Sequence, residues 1–127
     1  MLKKIYTKNA PEAIGPYSQA ILFNELLFSS GQIPVDPATG EVVQGDITAQ
    51  AEQVMKNVGA VLAEAGTDFE AVIKTTCFLS DMGDFAAFNE VYGRYFTEKP
   101  ARSVCGGEWA LPKNVLCEVE VIAAVGK

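Results

Sequence analysis

The chain has 127 residues, of which 49% are hydrophobic and 20% are charged, and its formal net charge is −6. This size and composition predict one folded domain spanning residues 1–127, and the absence of any basic cluster argues against a nucleic-acid partner. No apolar stretch approaches the roughly 20 residues that a membrane helix needs, and no secretion signal follows the first methionine, so we expect no membrane partner.

The first third of the chain alternates short β-rich runs with turn-forming residues. The β-rich runs are residues 3–7, 17–23 and 26–30. Asn24-Glu25 separates the last two runs and predicts a hairpin turn. Prolines and glycines in segments 10–16 and 31–45 predict loops.

A long amphipathic helix is predicted next. Its apolar residues recur at helical spacing and are Ile47, Ala51, Val54, Val58, Val61, Leu62 and Ala65. Asp46 or Thr48 can cap the start of this helix, and Gly66 can end it.

A second helix is predicted after residues 72–79, which have the apolar character of a buried strand. Asp81 and Asp84 are candidates for its N-cap. One face of the helix is aromatic and consists of Phe85, Phe88, Tyr92, Tyr95 and Phe96. Such a stripe is more typical of a helix packed on a sheet than of a cofactor site, so we expect packing.

Residues 102–107 and 115–125 predict the last two strands. The predicted order of elements is therefore β-β-β-α-β-α-β-β. This order is typical of an α+β domain in which both helices lie on one face of a single six-stranded sheet.

The last predicted strand has two chemically different faces. One face carries Cys117, Val119, Val121 and Ala123, and the other carries Leu116, Glu118, Glu120 and Ile122. The first set suits the side covered by helices. The second set mixes carboxylates with large apolar residues, which suits neither a solvent face nor a monomer core. We expect copies of the same chain to cover this open side and to enclose a polar pocket.

The chain contains no histidine, and its three cysteines, Cys77, Cys105 and Cys117, are widely spaced. Without histidine, Ser-His and Cys-His nucleophile pairs are excluded, as are the common zinc motifs. Glu, Asp, Tyr, Cys and Lys remain for acid–base chemistry. Three cysteines cannot all pair within one chain, so reduced thiols and a cytoplasmic location are the simplest interpretation.

The stretch Pro100-Ala101-Arg102-Ser103 is the first candidate for a binding site. A guanidinium keeps its charge at every working pH and presents a fork of donors that fits a carboxylate at two points. Arg102 follows a proline that restrains the backbone and begins a predicted strand, so it is rigidly mounted. For this stretch taken alone, an ordinary surface arginine is the alternative.

Several sequence blocks together resemble the RidA/YjgF family over nearly the whole chain. The blocks are Ile14-Gly15-Pro16-Tyr17-Ser18-Gln19, Ser30-Gly31-Gln32-Ile33-Pro34, Pro100-Ala101-Arg102-Ser103, Leu111-Pro112-Lys113 and Cys117-Glu118-Val119-Glu120. The resemblance implies a chorismate-mutase-like fold with a mixed sheet, and homotrimers with active sites in the clefts between subunits. It also implies hydrolysis of 2-imino acids, such as 2-iminobutanoate and 2-iminopropanoate, to 2-keto acids and ammonia without a metal or cofactor.

The same resemblance assigns roles to particular residues, and the chemistry of an imino acid suits them. Arg102 would bind the substrate carboxylate, and Glu118 would activate a water and pass a proton to the departing ammonia. Tyr17 would line the cleft and contact the substrate through its hydroxyl. Further substrate contacts are expected from Ser30, Gly31 and Asn89. From the residues alone, Tyr17 could instead be a half-buried packing residue, and Glu118 could be an exposed strand carboxylate or an interface ion-pair partner.

One segment departs from the family pattern. Imine-hydrolysing relatives carry cysteine two positions after the arginine, where this chain has Val104 and places Cys105 next. The segment 104–110 is also one residue longer than usual. In a regular strand Arg102 and Val104 share a face and Cys105 points away, whereas a bulge would turn Cys105 back towards the pocket. Cys105 is therefore a candidate substrate contact, and Trp109 either lines the cleft or fills the trimer centre.

Two other functions remain open at this stage. The chain could be a non-catalytic, regulatory trimer that binds small carboxylates through Arg102. It could also be a ribonuclease or translation inhibitor, a role attached to some relatives, although the acidic charge and the lack of histidine argue against this.

Overall fold

Six strands form one mixed sheet, and two helices pack on one of its faces. The structure is a computed structural model that describes residues 2–107 and 110–126. The strands are β1 (Leu2–Ile5), β2 (Ala20–Phe23), β3 (Leu26–Ser29), β4 (Val35–Asp36), β5 (Glu41–Val42), β6 (Val72–Leu79), β7 (Ala101–Gly106) and β8 (Cys117–Ala124). The main sheet has the order β1-β2-β3-β8-β6-β7, in which only β6 and β7 run parallel. This architecture confirms the predicted fold class.

Helix α1 spans Ile47–Ala65, and the residues at its two ends explain its bounds. The side chain of Asp46 accepts a hydrogen bond of 3.1 Å from the backbone N–H of Ala49, so Asp46 rather than Thr48 is the N-cap. Gly66 has a φ of 86° and donates its N–H to the carbonyl of Ala63, which ends the helix in the left-handed conformation that glycine favours.

Helix α2 spans Phe85–Tyr95 and follows a single 3₁₀ turn at Met82–Asp84. Asp81 caps that turn by accepting from the N–H of Gly83, and Asp84 makes no side-chain cap bond. The aromatic stripe of α2 packs into the core as predicted, with Phe88 and Phe96 at 0% and 2% exposure.

The two faces of β8 differ as the sequence predicts. Cys117, Val119, Val121 and Ala123 are at most 2% exposed and lie in the core beneath the helices. The opposite face of the sheet has no helix among the described residues, and it carries apolar side chains that are partly open to solvent. They include Phe23, Leu26 and Phe28, at 43%, 38% and 42% exposure. A face of this kind suits contact with another chain, and its cover by copies stays a prediction.

Two local features differ from the sequence predictions. Strand β2 begins at Ala20 rather than at Tyr17, because the N–H of Tyr17 turns back to the carbonyl of Gly15 at 2.8 Å. In the predicted loop 31–45, the short strands β4 and β5 pair as a separate two-stranded ribbon. No helix in the described part of the chain is long and apolar enough to cross a membrane.

Candidate functional site

Two clefts contain most of the candidate residues, and they lie in different parts of the molecule. The first, named here the Glu118 cleft, has a volume of about 490 Å³ and is lined in part by Tyr17, Ser30, Gly31, Lys113, Glu118 and Glu120. The second, named here the Arg102 cleft, has a volume of about 310 Å³ and is lined in part by Asn89, Tyr92, Phe96, Lys99 and Arg102. Each volume is sufficient for a small organic acid.

Glu118 lies on β8 and points to the open face of the sheet. Burial raises the pKa of its carboxyl above the ordinary value, and the neighbouring negative charge of Glu120 raises it further. The only ion pair among the described residues joins Arg94 to Glu52, so no cation of the described chain lies within ion-pair distance of Glu118. A half-buried carboxylate of this kind is suited to accepting a proton from water.

Gly31 allows Glu118 to adopt its position. A Cβ built on Gly31 would lie 2.8 Å from the carboxyl carbon of Glu118 and 3.0 Å from its Cγ. Nonbonded carbon atoms do not approach so closely, so any residue larger than glycine at position 31 would displace the Glu118 carboxylate. The Gly31 backbone therefore forms the floor on which the Glu118 carboxylate rests.

Hydrogen bonds hold the segment beside Gly31 against β8. The N–H of Gln32 donates to the carbonyl of Val119 at 2.8 Å, and the reciprocal bond is 3.1 Å. The Ser30 hydroxyl donates to the carbonyl of Ser18 at 2.6 Å. Since its proton is engaged there, Ser30 is arranged as a structural contact and not as an activated nucleophile.

Tyr17 lines the Glu118 cleft from a loop that buried Gln19 holds in place. The side-chain amide of Gln19 accepts from the N–H of Thr7 at 2.7 Å, and it donates to the carbonyls of Thr7 and Pro11 at 3.0 and 2.8 Å. Tyr17 itself is 51% exposed, and its hydroxyl makes no hydrogen bond within the described residues. The ring therefore forms an open wall of the cleft with a free polar end.

Arg102 lies on β7 and is held by helix α2. Its Nη1 donates a hydrogen bond of 2.8 Å to Oδ1 of Asn89. Its Cζ lies 4.6 Å from the ring centroid of Tyr92 and 5.7 Å from that of Phe85, which is a cation–π arrangement. Within the described chain the other guanidinium N–H groups have no partner, so the fork can bind an incoming carboxylate.

Arg102 and Glu118 lie on opposite faces of the sheet. The register pairs Arg102 with Thr75, whose buried side chain is on the helix side. The register pairs Glu118 with Phe78, on the open side. The structure thus brings Tyr17, Ser30, Gly31 and Glu118 together in one cleft, and it brings Asn89 to Arg102 in the other. Within a single chain, the residues of the Glu118 cleft and those of the Arg102 cleft do not form one site.

The β6–β7 register is regular through Gly106, without a bulge. Cys105 consequently pairs with Phe78 and points to the side of Glu118, away from Arg102, while Val104 lies on the face of Arg102. Cys105 is the exposed thiol. Trp109, for which two roles were considered, lies outside the described residues.

Three residues of the clefts were not identified as functional from the sequence. Lys113 lies in the Glu118 cleft with a φ of 56°, and its only signal was the Leu-Pro-Lys block. Glu120, which the sequence places only on the mixed face of the last strand, shares the cleft and raises the pKa of Glu118. Tyr92 was assigned to packing alone, and its contact with Arg102 depends on a helix phase that sequence spacing does not reveal. Among residues 2–107 and 110–126, no three acidic or cysteine side chains cluster as metal ligands would.

The fold and its two clefts define the Rid class of α+β proteins, and comparisons with known proteins agree. The chain is 55% identical to a RutC family protein of Pyrococcus horikoshii, over 97% of this chain and 98% of that protein. It superposes with a TM-score of 0.94 on YyfA of Yersinia pestis, a protein of unknown function of the conserved Rid family, at 50% identity and with coverage of 98% and 100%.

A second solved structure, TdcF of E. coli with bound serine, matches with a TM-score of 0.91 at 43% identity and covers 98% of this chain and 99% of that one. The family model described as Endoribonuclease L-PSP matches residues 7–125. The chain therefore belongs to this family, which confirms the resemblance to RidA/YjgF proteins.

Proposed function

We propose that the protein hydrolyses small 2-imino acids, such as 2-iminobutanoate and 2-iminopropanoate, to 2-keto acids and ammonia. The site would form between neighbouring copies in a homotrimer. One copy would contribute the Arg102 cleft, and the next would contribute the Glu118 cleft. The observation that carries this proposal is the division of the predicted site between the two sheet faces, since each cleft holds one half of the groups that the reaction needs.

The groups of the two clefts suit the steps of imine hydrolysis. The Arg102 fork would bind the substrate carboxylate at two points and so fix the imine carbon near Glu118. With the imine protonated, Glu118 would take a proton from water as the water oxygen bonds to the imine carbon and the C=N π electrons move to nitrogen, which gives a neutral carbinolamine. Glu118 would return this proton to the nitrogen. As the C–N bond breaks and ammonia leaves, the hydroxyl proton would pass to Glu118 and the carbonyl would form. Tyr17 would contact the substrate from the wall of the cleft.

A relative supports the choice of ligand class. TdcF of E. coli was solved with bound serine, which is a small molecule with an α-carboxylate. A 2-imino acid presents the same carboxylate next to the reacting carbon. The free thiols of all three cysteines fit a reducing compartment, so we place the reaction in the cytoplasm.

The test is a coupled assay with a competing trap. Threonine dehydratase generates 2-iminobutanoate in the presence of semicarbazide, and the added protein should lower the yield of semicarbazone. Arg102→Ala should lose about 30-fold or more of this activity, since truncation of a charged contact that the assembled site desolvates costs ~2–5 kcal/mol. Arg94→Ala is the matched control, because Arg94 pairs with Glu52 on the surface at 2.7 Å. Full activity of Arg102→Ala would overturn the assignment.

A non-catalytic receptor for small carboxylates is the second candidate. The orientation of Cys105 favours this candidate, because Cys105 points away from Arg102. In the pattern of imine-hydrolysing relatives, the cysteine comes two positions after the arginine and so lies on the same face of the strand. Binding of 2-ketobutanoate without any effect on semicarbazone yield would establish this alternative. The ribonuclease role in the family's description is less consistent with a net charge of −6, and cleavage of RNA by the rigorously purified protein would be needed to support it.

A further inference from the structure

We infer that Tyr92 is a positioning residue for the Arg102 fork and that the buried hydroxyl of Thr75 fixes the orientation of the Tyr92 ring. The identity of the ligand, a small carboxylate, rests on the proposed function. The arrangement of the three side chains is a property of the fold itself.

Helix α2 supports the guanidinium of Arg102 at two points. Asn89 and Tyr92 are three residues apart and therefore lie on the same helix face. Asn89 Oδ1 accepts from Nη1 at 2.8 Å, and the Tyr92 ring centroid lies 4.6 Å from Cζ. An acceptor at one edge and an aromatic ring against one face restrict both the direction and the plane of the fork. The unoccupied donors then point in one direction instead of sampling many.

Two further contacts hold the Tyr92 ring in place. Its hydroxyl and the Thr75 hydroxyl are 2.8 Å apart, and Thr75 is fully buried on β6. The ring also stacks on Phe96, with centroids 4.4 Å apart. Thr75 is the residue that the β6–β7 register pairs with Arg102. Tyr92 therefore contacts both Thr75 and Arg102, whose side chains lie on the same face of the neighbouring strands β6 and β7. The backbone pairing of these strands holds the two side chains next to each other.

Packing alone does not account for this tyrosine. The stripe fills its other core positions with Phe88 and Phe96, which have no polar atom to satisfy. A phenol there costs free energy unless its hydroxyl is paired, and Thr75 provides the partner. A phenol is neutral at working pH, and burial raises the pKa of Tyr92 further above that range. A phenolate would neutralise Arg102, whereas the neutral ring holds the cation and leaves its charge for the ligand.

The expected consequence is weaker binding of the carboxylate when the ring is removed. Tyr92→Leu should weaken 2-ketobutanoate binding about 3- to 30-fold, which corresponds to the usual strength of a cation–π contact. KM for the imine should rise by the same factor with little change in kcat, because the carboxylate contact is present before and during reaction. Tyr92→Phe should retain most of the affinity, since the ring remains.

The experiment compares these variants by titration calorimetry and by the semicarbazide assay. Tyr95→Leu is the matched control, because Tyr95 lies on the same helix and bonds to Glu52 instead of contacting Arg102. Thr75→Val and Tyr92→Phe each remove the same hydrogen bond, so their combination should cost no more than either one. Wild-type affinity in a folded Tyr92→Leu protein, or additive effects in the double variant, would overturn the inference.

A ligand-free measurement separates this inference from the proposed function. The ¹⁵N–¹H resonance of Arg102 Nε should show a ring-current shift that Tyr92→Leu removes and that Tyr92→Phe reduces or broadens, because in Tyr92→Phe the ring remains but loses the hydrogen bond that fixes it. If the wild-type protein neither binds 2-ketobutanoate nor lowers semicarbazone yield, the proposed function fails and this resonance still decides the role of Tyr92. If Tyr92→Leu does not fold, Thr75→Val should still broaden or move the resonance, and an unchanged signal would refute the inference.

Discussion

The carboxylate of Glu118 rests directly on the backbone of Gly31, leaving no room for a Cβ at that position. This contact joins the loop after β3 to the last strand at the point where water activation is proposed. Gly31 has no positive φ, so an alanine there is excluded by the carboxylate and not by its own backbone conformation.

Gly31→Ala should therefore inactivate the protein while it remains folded. The added methyl group would push the Glu118 carboxylate from its site, and a displacement of about 1 Å is enough to cost on the order of 100-fold in rate. The measurement is turnover in the semicarbazide assay alongside thermal unfolding. In a Glu118→Ala background, Gly31→Ala should have no effect on Tm, because the carboxylate that would collide with the new methyl group is absent. Normal turnover of Gly31→Ala would contradict the role given to Glu118.

The acid limb of the pH–rate profile should report the raised pKa of Glu118. The base form is needed to accept a proton from water, so kcat/KM should fall as pH falls through that pKa. Glu120→Gln removes a like charge and should move this limb to lower pH. Glu64→Gln, on the outer surface of α1, should leave it in place. An unmoved limb in Glu120→Gln would show that Glu120 does not act on the catalytic carboxyl.

Glu118 should also reduce stability at neutral pH. Because burial raises its pKa in the folded state, the folded state holds this proton more tightly than the unfolded state does. The contribution of Glu118 to stability is therefore complete at low pH and is lost as pH rises through the raised pKa. Glu118→Gln should raise Tm at pH 7 and leave it unchanged near pH 4, as measured by circular dichroism. A lower Tm at pH 7 would mean that the charged carboxylate has a stabilising partner.

Two inactive variants should restore activity when they assemble together. A mixed trimer of Arg102→Ala and Glu118→Gln chains contains some interfaces with an intact arginine from one chain and an intact glutamate from the other. Random mixing of equal amounts yields about a quarter of wild-type sites. The proteins would be refolded together, and activity compared with that of the separately refolded variants. No recovery from a mixed assembly would place both residues within one protomer's site.

The three cysteines should differ sharply in reactivity. Burial raises the pKa of Cys77 to about 11 and that of Cys117 to about 12, so neither forms appreciable thiolate at pH 8. Iodoacetamide should modify no more than one thiol in each folded chain, and that thiol should be Cys105. All three should react in guanidinium chloride, as counted by mass spectrometry. Early labelling of Cys77 in the native protein would contradict the packing of β6.

The sequence predicts those parts of the fold that depend on local patterns. Alternation along β8 identifies Val119 and Val121 as core residues, because side-chain direction in a strand follows directly from residue spacing. Asp46 and Gly66 mark the ends of α1 through backbone preferences that act within a few residues. Such features need no information from distant parts of the chain.

The candidate site was only partly predictable, because it depends on how elements pack. The chain order does not show that Arg102 faces the helices while Glu118 faces away, since this follows from the pairing of β7 with β6. Tyr92 was assigned to the core because a stripe at helical spacing does not distinguish a packed ring from one that also holds a cation. The short ribbon of β4 and β5 was missed because each strand has only two residues.

The uninterrupted register of β7 through Gly106 has an evolutionary consequence. Six consecutive residue pairs hold β7 to β6, from Lys74–Ala101 to Leu79–Gly106, so the alignment of Arg102 with Thr75 is fixed before the segment that follows Gly106 begins. Length changes after Gly106 can therefore accumulate without sliding the arginine out of alignment. Natural selection, or an engineer, can thus vary the chain after Gly106 while the arginine proposed to recognise the substrate carboxylate stays in register.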